Sequence, residues 1–340
     1  MLKGHGSDIY NYNSSIIADF SSNVWYDGMP EGLVGFLSEK FQNIIHYPSP
    51  DAEELSIKLA NLHRISSNNV QATNGATEAF YLLAQLYFGV NSYIRYPSFS
   101  EYEDAARIFN HTLNFISHSE FESTVKYKKD SMVWIGNPNN PDGKITPVDH
   151  IKILCKENPA CCFIIDEAYV DLSDKCDSSI RLIPDYGNLV IVKSLTKSFA
   201  IPGLRLGYLV ASSKIIEKLK AIKMPWSVNT LAIEAGNYIL SDYDNFLPKK
   251  DTVTIESKKL QKKLSQLSDI KITLSDCNYF LASVVNRKVS ELKQFLIDEH
   301  GFLIRDASNF RGLNESHFRI AAQKPEFNDT LVRAIKDWMS

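Results

Sequence analysis

Between about Asn68 and Ser213 short apolar strands alternate with helical patterns. "NVQAT" reads as a strand, and "ATEAFYLLAQLYF" after it as a helix with apolar residues at helical spacing. "SMVWIGN", "CCFIIDEA" and "NLVIVKSL" are continuous apolar runs, the pattern of strands buried on both faces. Alternation of this kind implies an open, mostly parallel sheet covered by helices. Ligands in such sheets bind at the carboxyl ends of the strands.

After Trp226 the pattern changes. A long helical region starts at "NTLAIEAGNYIL" and runs on through the lysine-rich "ESKKLQKKL". "DIKITL" and "NYFLASVV" follow, then a helix, "VSELKQFLIDEH", and a last strand, "HFRIAAQ". This reads as a smaller α+β domain. The first ~30 residues are polar and turn-rich and are expected to pack against it. With 340 residues the chain suits two domains.

Four segments fall where strands meet loops. Thr73-Asn74-Gly75-Ala76-Thr77-Glu78 joins a strand to a helix start. Gly75 permits a tight turn, and free N–H groups with the Thr77 hydroxyl suit a phosphate. Alone, this segment reads more readily as a helix cap with nothing bound. Pro138-Asn139-Asn140-Pro141-Asp142-Gly143 is a turn by composition, in which a rigid Asn could present its amide to a ring substituent. Asp166 closes a buried strand just before Tyr169, as a functional carboxylate or a helix cap.

The fourth is "SLTKSFAIPGLRLG", with Lys197 among Ser194, Thr196 and Arg205. A solvated lysine is the common case. A desolvated amine near cations has instead a lowered pKa and becomes a nucleophile. Together the four supply a phosphate cradle, an amide donor, a carboxylate and an amine. Pyridoxal 5′-phosphate requires that set: an aldehyde for a lysine, a ring nitrogen for an acid, a phenolic oxygen and a phosphate.

Composition removes other classes. A formal net charge of −3 gives no drive toward nucleic acid or an anionic membrane. No apolar run approaches the ~20 residues of a membrane span, and "MLKGHGSDIY" lacks the apolar core of a signal peptide. Cys155, Cys161, Cys162, Cys176 and Cys277 form no CxxC pair and are odd in number. Neither a disulfide framework nor a metal site is expected, and a cytoplasmic location fits.

On these motifs the chain resembles the fold-type I pyridoxal-phosphate enzymes of the aminotransferase class I/II group, over nearly its whole length. Within the group, "SLTKSFAIPGLRLGYL", "MPWSVN" and "GHGSDIY" resemble the L-threonine-O-3-phosphate decarboxylases of cobalamin biosynthesis, and next the histidinol-phosphate aminotransferases. The resemblance implies an α/β, aminotransferase-like fold. Residues 31–230 would form a large cofactor domain with a mostly parallel seven-stranded sheet between helices. Residues 1–30 with 231–340 would form a small α+β domain.

Carried over by position, the resemblance implies that Lys197 holds the cofactor covalently and later shuttles protons. Asp166 pairs with the ring nitrogen, Tyr169 and Asn140 bond the phenolic oxygen, and Phe99 stacks on the ring. Gly75, Ala76, Thr77, Ser194, Thr196 and Arg205 hold the cofactor phosphate. Tyr47 reaches that phosphate from a partner subunit, implying a homodimer. Arg319 grips the substrate carboxylate, while Arg305, fourteen residues earlier, with His5 and Asn23, matches positions around a phosphorylated amino acid. The expected reaction is decarboxylation of L-threonine O-3-phosphate. The alternatives are transamination of histidinol phosphate or a related amino acid with 2-oxoglutarate and, remotely, a non-catalytic cofactor-binding module. Three segments depart from the decarboxylase pattern: Asp142 for a threonine that shapes a turn, Ser7 for a glycine, and "SNFRGLNESHF".

Overall fold

A computed structural model describes residues 6–12 and 15–340; His5 lies outside them. Thirteen strands are described. β1 (Ala18–Asp19) precedes β2 (Val70–Thr73), β3 (Asn91–Tyr96), β4 (Thr112–Ser117), β5 (Ser131–Gly136), β6 (Cys162–Asp166), β7 (Leu189–Ser194) and β8 (Gly207–Ala211). Then come β9 (Ile270–Thr273), β10 (Tyr279–Val284), β11 (Phe302–Leu303), β12 (Arg305–Asp306) and β13 (His317–Ala321).

The seven-stranded sheet has the order β2-β8-β7-β6-β5-β3-β4. Only β8 runs against the others. The apolar runs are buried on both faces, as their composition requires. Val133, Ile135, Leu189 and Ile191 enter one core. Their alternates Met132, Trp134, Val190 and Val192 enter the core on the other side. Strand periodicity thus feeds two helical layers from one sequence.

The second sheet is antiparallel, β12-β13-β10-β9. A third core gathers Phe280, Ile320, Leu260, Leu292 and Leu331 behind it. The early chain joins this part: Ala18 and Phe20 enter the same core, and β1 pairs in parallel with β11.

The long helical region expected after Asn229 is broken into Thr230–Ser241, Tyr243–Phe246 and Ile255–Leu264. Pro248 cannot donate to a helix, and it drives Leu247 before it into an extended conformation, with φ −72° and ψ 136°. The first piece lies beyond the division expected at residue 230. Yet its Ala232, Ala235 and Ile239 are buried in the large-sheet core, because that is where its apolar stripe finds a partner. A C-terminal helix, Pro325–Met339, opens on a proline and buries Leu331, Ala334 and Ile335. All five cysteines are buried and unpaired. Among the described residues no helix is long and apolar enough to cross a membrane.

Candidate active site

The loops that follow β2, β3, β5, β6 and β7 leave one edge of the large sheet, and Arg205 enters β8 at that edge. They meet in a cavity of about 340 Å³. Its wall includes Ala76, Thr77, Phe99, Asn140, Asp166, Tyr169, Ser194, Thr196, Lys197 and Arg205, with Arg319 and Asn23 from outside the large sheet. Twelve residues expected at the site from the sequence are therefore gathered at one place.

One end of the cavity is an anion cradle. The helix Gly75–Leu86 begins here with no side-chain cap, because Asn74 donates its amide to the Ser227 carbonyl, 2.8 Å away. The first-turn N–H groups and the positive end of the helix are left for a ligand. Thr77, Ser194, Thr196 and Arg205 add hydroxyls and a guanidinium, with Ser194 Oγ 2.7 Å from Thr196 Oγ1. Gly75 has φ +70°, and a Cβ there would lie 2.5 Å from an Arg205 nitrogen. The turn needs glycine for its backbone and for the close approach of that guanidinium.

Asp166 closes β6, buried. Ala168 N–H donates to Oδ1 at 3.0 Å, and the Tyr102 hydroxyl donates to Oδ2 at 2.5 Å. Burial raises its pKa to about 6, against the pull of Tyr102, Ala168 and Lys197. A protonated ring nitrogen beside it would restore its charge. The Lys197 amine is lowered to about 8, by burial first and then by the Arg319 and Arg205 cations. At neutral pH a useful fraction is therefore an unprotonated nucleophile. Burial raises the Tyr169 pKa, and the Arg319 charge opposes this.

Arg319 is buried on β13. It donates to Asn140 Oδ1 at 2.5 Å and to the Ser21 carbonyl, so the Asn140 amide N–H groups remain for an acceptor in the cavity. Asn23 is 1% exposed, and both its side-chain amide atoms lack hydrogen-bond partners. They face the Tyr169 hydroxyl without reaching hydrogen-bond geometry. Buried polar atoms left so are costly unless a ligand completes them.

Arg305 does not line this cavity. It lies opposite Arg319 across β12 and β13, and lines a smaller pocket on the other side of Phe99, with Asn309 and Phe310. Tyr47 is also away from the cavity, 86% exposed and packed on Trp226 with ring centroids 5.2 Å apart. Asp142 shapes its turn as expected, accepting from Asn139 Nδ2 at 2.7 Å and from Lys144 N at 3.2 Å.

The sequence reading missed Tyr102. It is stacked on Trp134 with centroids 5.7 Å apart, and it reaches Asp166 because it stands one helical turn beyond Phe99. That spacing in "SFSEYEDA" was the available signal. Gly6 and Ser7, from the "GHGSDIY" segment singled out above, also line the cavity, with Ser21 and Ser22, which were not anticipated.

The donor set fits pyridoxal 5′-phosphate. The cradle suits its phosphate, Asp166 its ring nitrogen, Phe99 its ring face and Lys197 its aldehyde. The orphaned Asn23 amide and the glycine-only turn at Gly75 are features that a bound anionic ligand explains.

Comparison with known proteins agrees with this geometry. Residues 13–335 match the family "Aminotransferase class I and II". The crystal structure of L-threonine-O-3-phosphate decarboxylase from Porphyromonas gingivalis superposes with a TM-score of 0.91 at 36% identity, covering 95% of this chain and 99% of that one. An adenosylcobalamin biosynthesis bifunctional protein of Leptospira interrogans is 29% identical over 96% of this chain, which spans only 39% of that protein's length. A histidinol-phosphate aminotransferase of Archaeoglobus fulgidus is 27% identical over 86% of this chain and 85% of its own.

Proposed function

Because this chain belongs to the aminotransferase class I and II family, we propose that it decarboxylates L-threonine O-3-phosphate to (R)-1-amino-2-propanol O-2-phosphate. Its cofactor is pyridoxal 5′-phosphate. When bound, the cofactor would supply an aldehyde for the substrate amine and a protonated ring able to take up the electron pair of one bond at Cα.

The residues of this chain decide which bond that is. Lys197 Nζ would hold the cofactor aldehyde, and its amine, once free, would hold the proton delivered to Cα as carbon dioxide leaves. Asp166 stays ionised against the ring nitrogen and keeps it protonated, with Tyr102 holding the carboxylate in place. Tyr169 and Asn140 bond the phenolic oxygen, and Phe99 covers one face of the ring. Gly75, Ala76, Thr77, Ser194, Thr196 and Arg205 grip the cofactor phosphate, joined by the partner subunit's Tyr47 in a homodimer. Arg319 fixes the substrate carboxylate and Arg305 the substrate phosphate, with Asn23 beside Arg319 in the cavity wall and His5 assigned to the substrate by the resemblance alone.

The observation that carries this reading is the Arg305–Arg319 pair, two buried guanidinium groups in register on adjacent strands. Like charges facing across a ladder repel. Burial and the Arg319 charge lower Arg305 to about 10. A substrate carboxylate in the cavity answers the charge of Arg319, and a phosphate on the same short substrate adds an anion toward Arg305, which already donates to Asn309 Oδ1 at 2.8 Å. The 36% identity with the Porphyromonas decarboxylase supports the same substrate. The second reading, histidinol-phosphate transamination, is favoured by the Archaeoglobus relative.

Substrate choice tests the proposal. In cofactor-loaded protein without a keto acid, L-threonine O-3-phosphate should be consumed with kcat/KM about a hundredfold above that of L-threonine, the worth of one or two charge-assisted contacts. Consumption only of histidinol phosphate, and only with 2-oxoglutarate, would overturn it.

A further inference from the structure

The cavity has one wall that belongs to neither sheet. Gly6 and Ser7 line it beside Ser21, Ser22 and Arg319. The fit is close: a Cβ on Gly6 would lie 2.2 Å from the Ser21 carbonyl oxygen and 3.2 Å from an Arg319 nitrogen. Ser7 has φ +60°, and its N–H donates to Ser21 Oγ at 2.7 Å. Ser21 Oγ in turn donates to Asp19 Oδ1 at 2.5 Å. The segment is thus laid directly on the guanidinium assigned above to the substrate carboxylate.

A short strap of this kind has no ladder to hold it. Its anchor is the next residue. Asp8 accepts from Lys293 Nζ through both oxygens, at 3.0 and 3.3 Å, and each side chain is only 14% exposed. Lys293 belongs to the helix Val289–His300, which packs in the core behind the antiparallel sheet. Its ammonium also lies 5.2 Å from the centre of the Tyr12 ring. Asp8 is near enough to Arg305 for its charge to hold that guanidinium's pKa up. One carboxylate therefore ties the strap to the helix.

We propose that the Asp8–Lys293 ion pair positions the strap Gly6–Asp8 over the substrate end of the cavity, and so sets affinity for the amino-acid substrate without touching it. The inference rests on the cavity being the amino-acid site. It does not depend on which phosphorylated amino compound is used. A shielded, bidentate ion pair is worth more than an exposed one, because little solvent competes for it. Lys293 keeps its stem packed if only its charge is removed, which makes Lys293→Met a clean probe.

The experiment uses cofactor-loaded protein and two readouts. In Lys293→Met, amide hydrogen exchange over residues 6–12 should speed up, with cofactor absorbance and melting temperature unchanged. KM for the substrate that the parent protein consumes should rise on the order of tenfold, the worth of one charged hydrogen bond, with kcat within about twofold. Asp8→Asn should give the same rise, the double variant no further rise, and Lys293→Arg should restore parent KM. Unchanged exchange and KM in Lys293→Met would overturn the proposal, as would additive effects in the double variant. If the parent consumes histidinol phosphate rather than L-threonine O-3-phosphate, the decarboxylase reading falls. The strap is then judged by exchange and by KM for histidinol phosphate.

Discussion

Asp166 shows most clearly what burial does to one residue. In the cofactor-free protein its pKa stands at about 6 against an ordinary 3.8, chiefly through desolvation. A carboxyl whose folded pKa is raised favours the fold when protonated. That contribution is complete below about pH 4 and is lost as pH rises through 6. Asp166→Asn should therefore gain stability relative to the parent between pH 4 and pH 7.5, by roughly 2–3 kcal/mol at about 1.4 kcal/mol per unit. Urea unfolding of cofactor-free protein at the two pH values measures it, and a pH-independent difference would contradict it. Tyr102 is the second lever. Its hydroxyl holds the Asp166 pKa down, so Tyr102→Phe should move the acid limb of the kcat profile upward and cost about tenfold in kcat. An unchanged profile would show that the bond has no catalytic effect. Asp166 and Lys197 were legible in the sequence because strand-end chemistry marks them. Tyr102 was not, because its role comes from a contact 64 residues away along the chain.

At the scale of elements, two glycines separate binding from folding. A Cβ at Gly75 would meet the end of the Arg205 side chain, which can move aside, although the positive φ adds about 1–2 kcal/mol of strain. A Cβ at Gly207 would meet backbone, with Ala76 N and Gly75 C at 2.7 Å and Lys193 O at 2.8 Å. Backbone cannot yield so cheaply. Gly75→Ala should fold and lose cofactor affinity by tenfold or more, whereas Gly207→Ala should lose roughly 3 kcal/mol of stability. Equilibrium dialysis and thermal unfolding distinguish the two, and equal loss of fold in both would contradict this. The doubly buried strands were legible because β5, β6 and β7 are unbroken apolar runs. The breaks at Asp242 and Leu247–Pro248 interrupt a run expected to be helical throughout, and only Pro248 marks one of them in the sequence. The reversed direction of β8 is set by pairing with β2 and β7, which no local pattern reports.

At the scale of the whole molecule, the surface is apolar where Tyr47 stands. Phe41, Ile44, Ile45, Tyr47, Met224 and Trp226 are all large, hydrophobic and at least 47% exposed. If a homodimer covers them, the resemblance places each Tyr47 at the other subunit's phosphate cradle. At a cofactor concentration at which Tyr47→Ala alone is largely unloaded, co-refolding it with Lys197→Ala would then leave one complete site in each mixed dimer. About a quarter of parent activity is expected for random pairing, and none would contradict a shared site. The change of pattern after Trp226 is the basis for expecting a second domain there. Packing shifts the division, since the helix Thr230–Ser241 joins the large core. The most direct measurement supplies L-threonine O-3-phosphate labelled at the carboxylate carbon to cofactor-loaded protein with no keto acid. Labelled carbon dioxide released one-for-one with aminopropanol phosphate is the result expected if Arg319 holds the substrate carboxylate and Arg305 its phosphate. No labelled carbon dioxide, with glutamate formed from 2-oxoglutarate once histidinol phosphate is added, would contradict the decarboxylase and establish an aminotransferase.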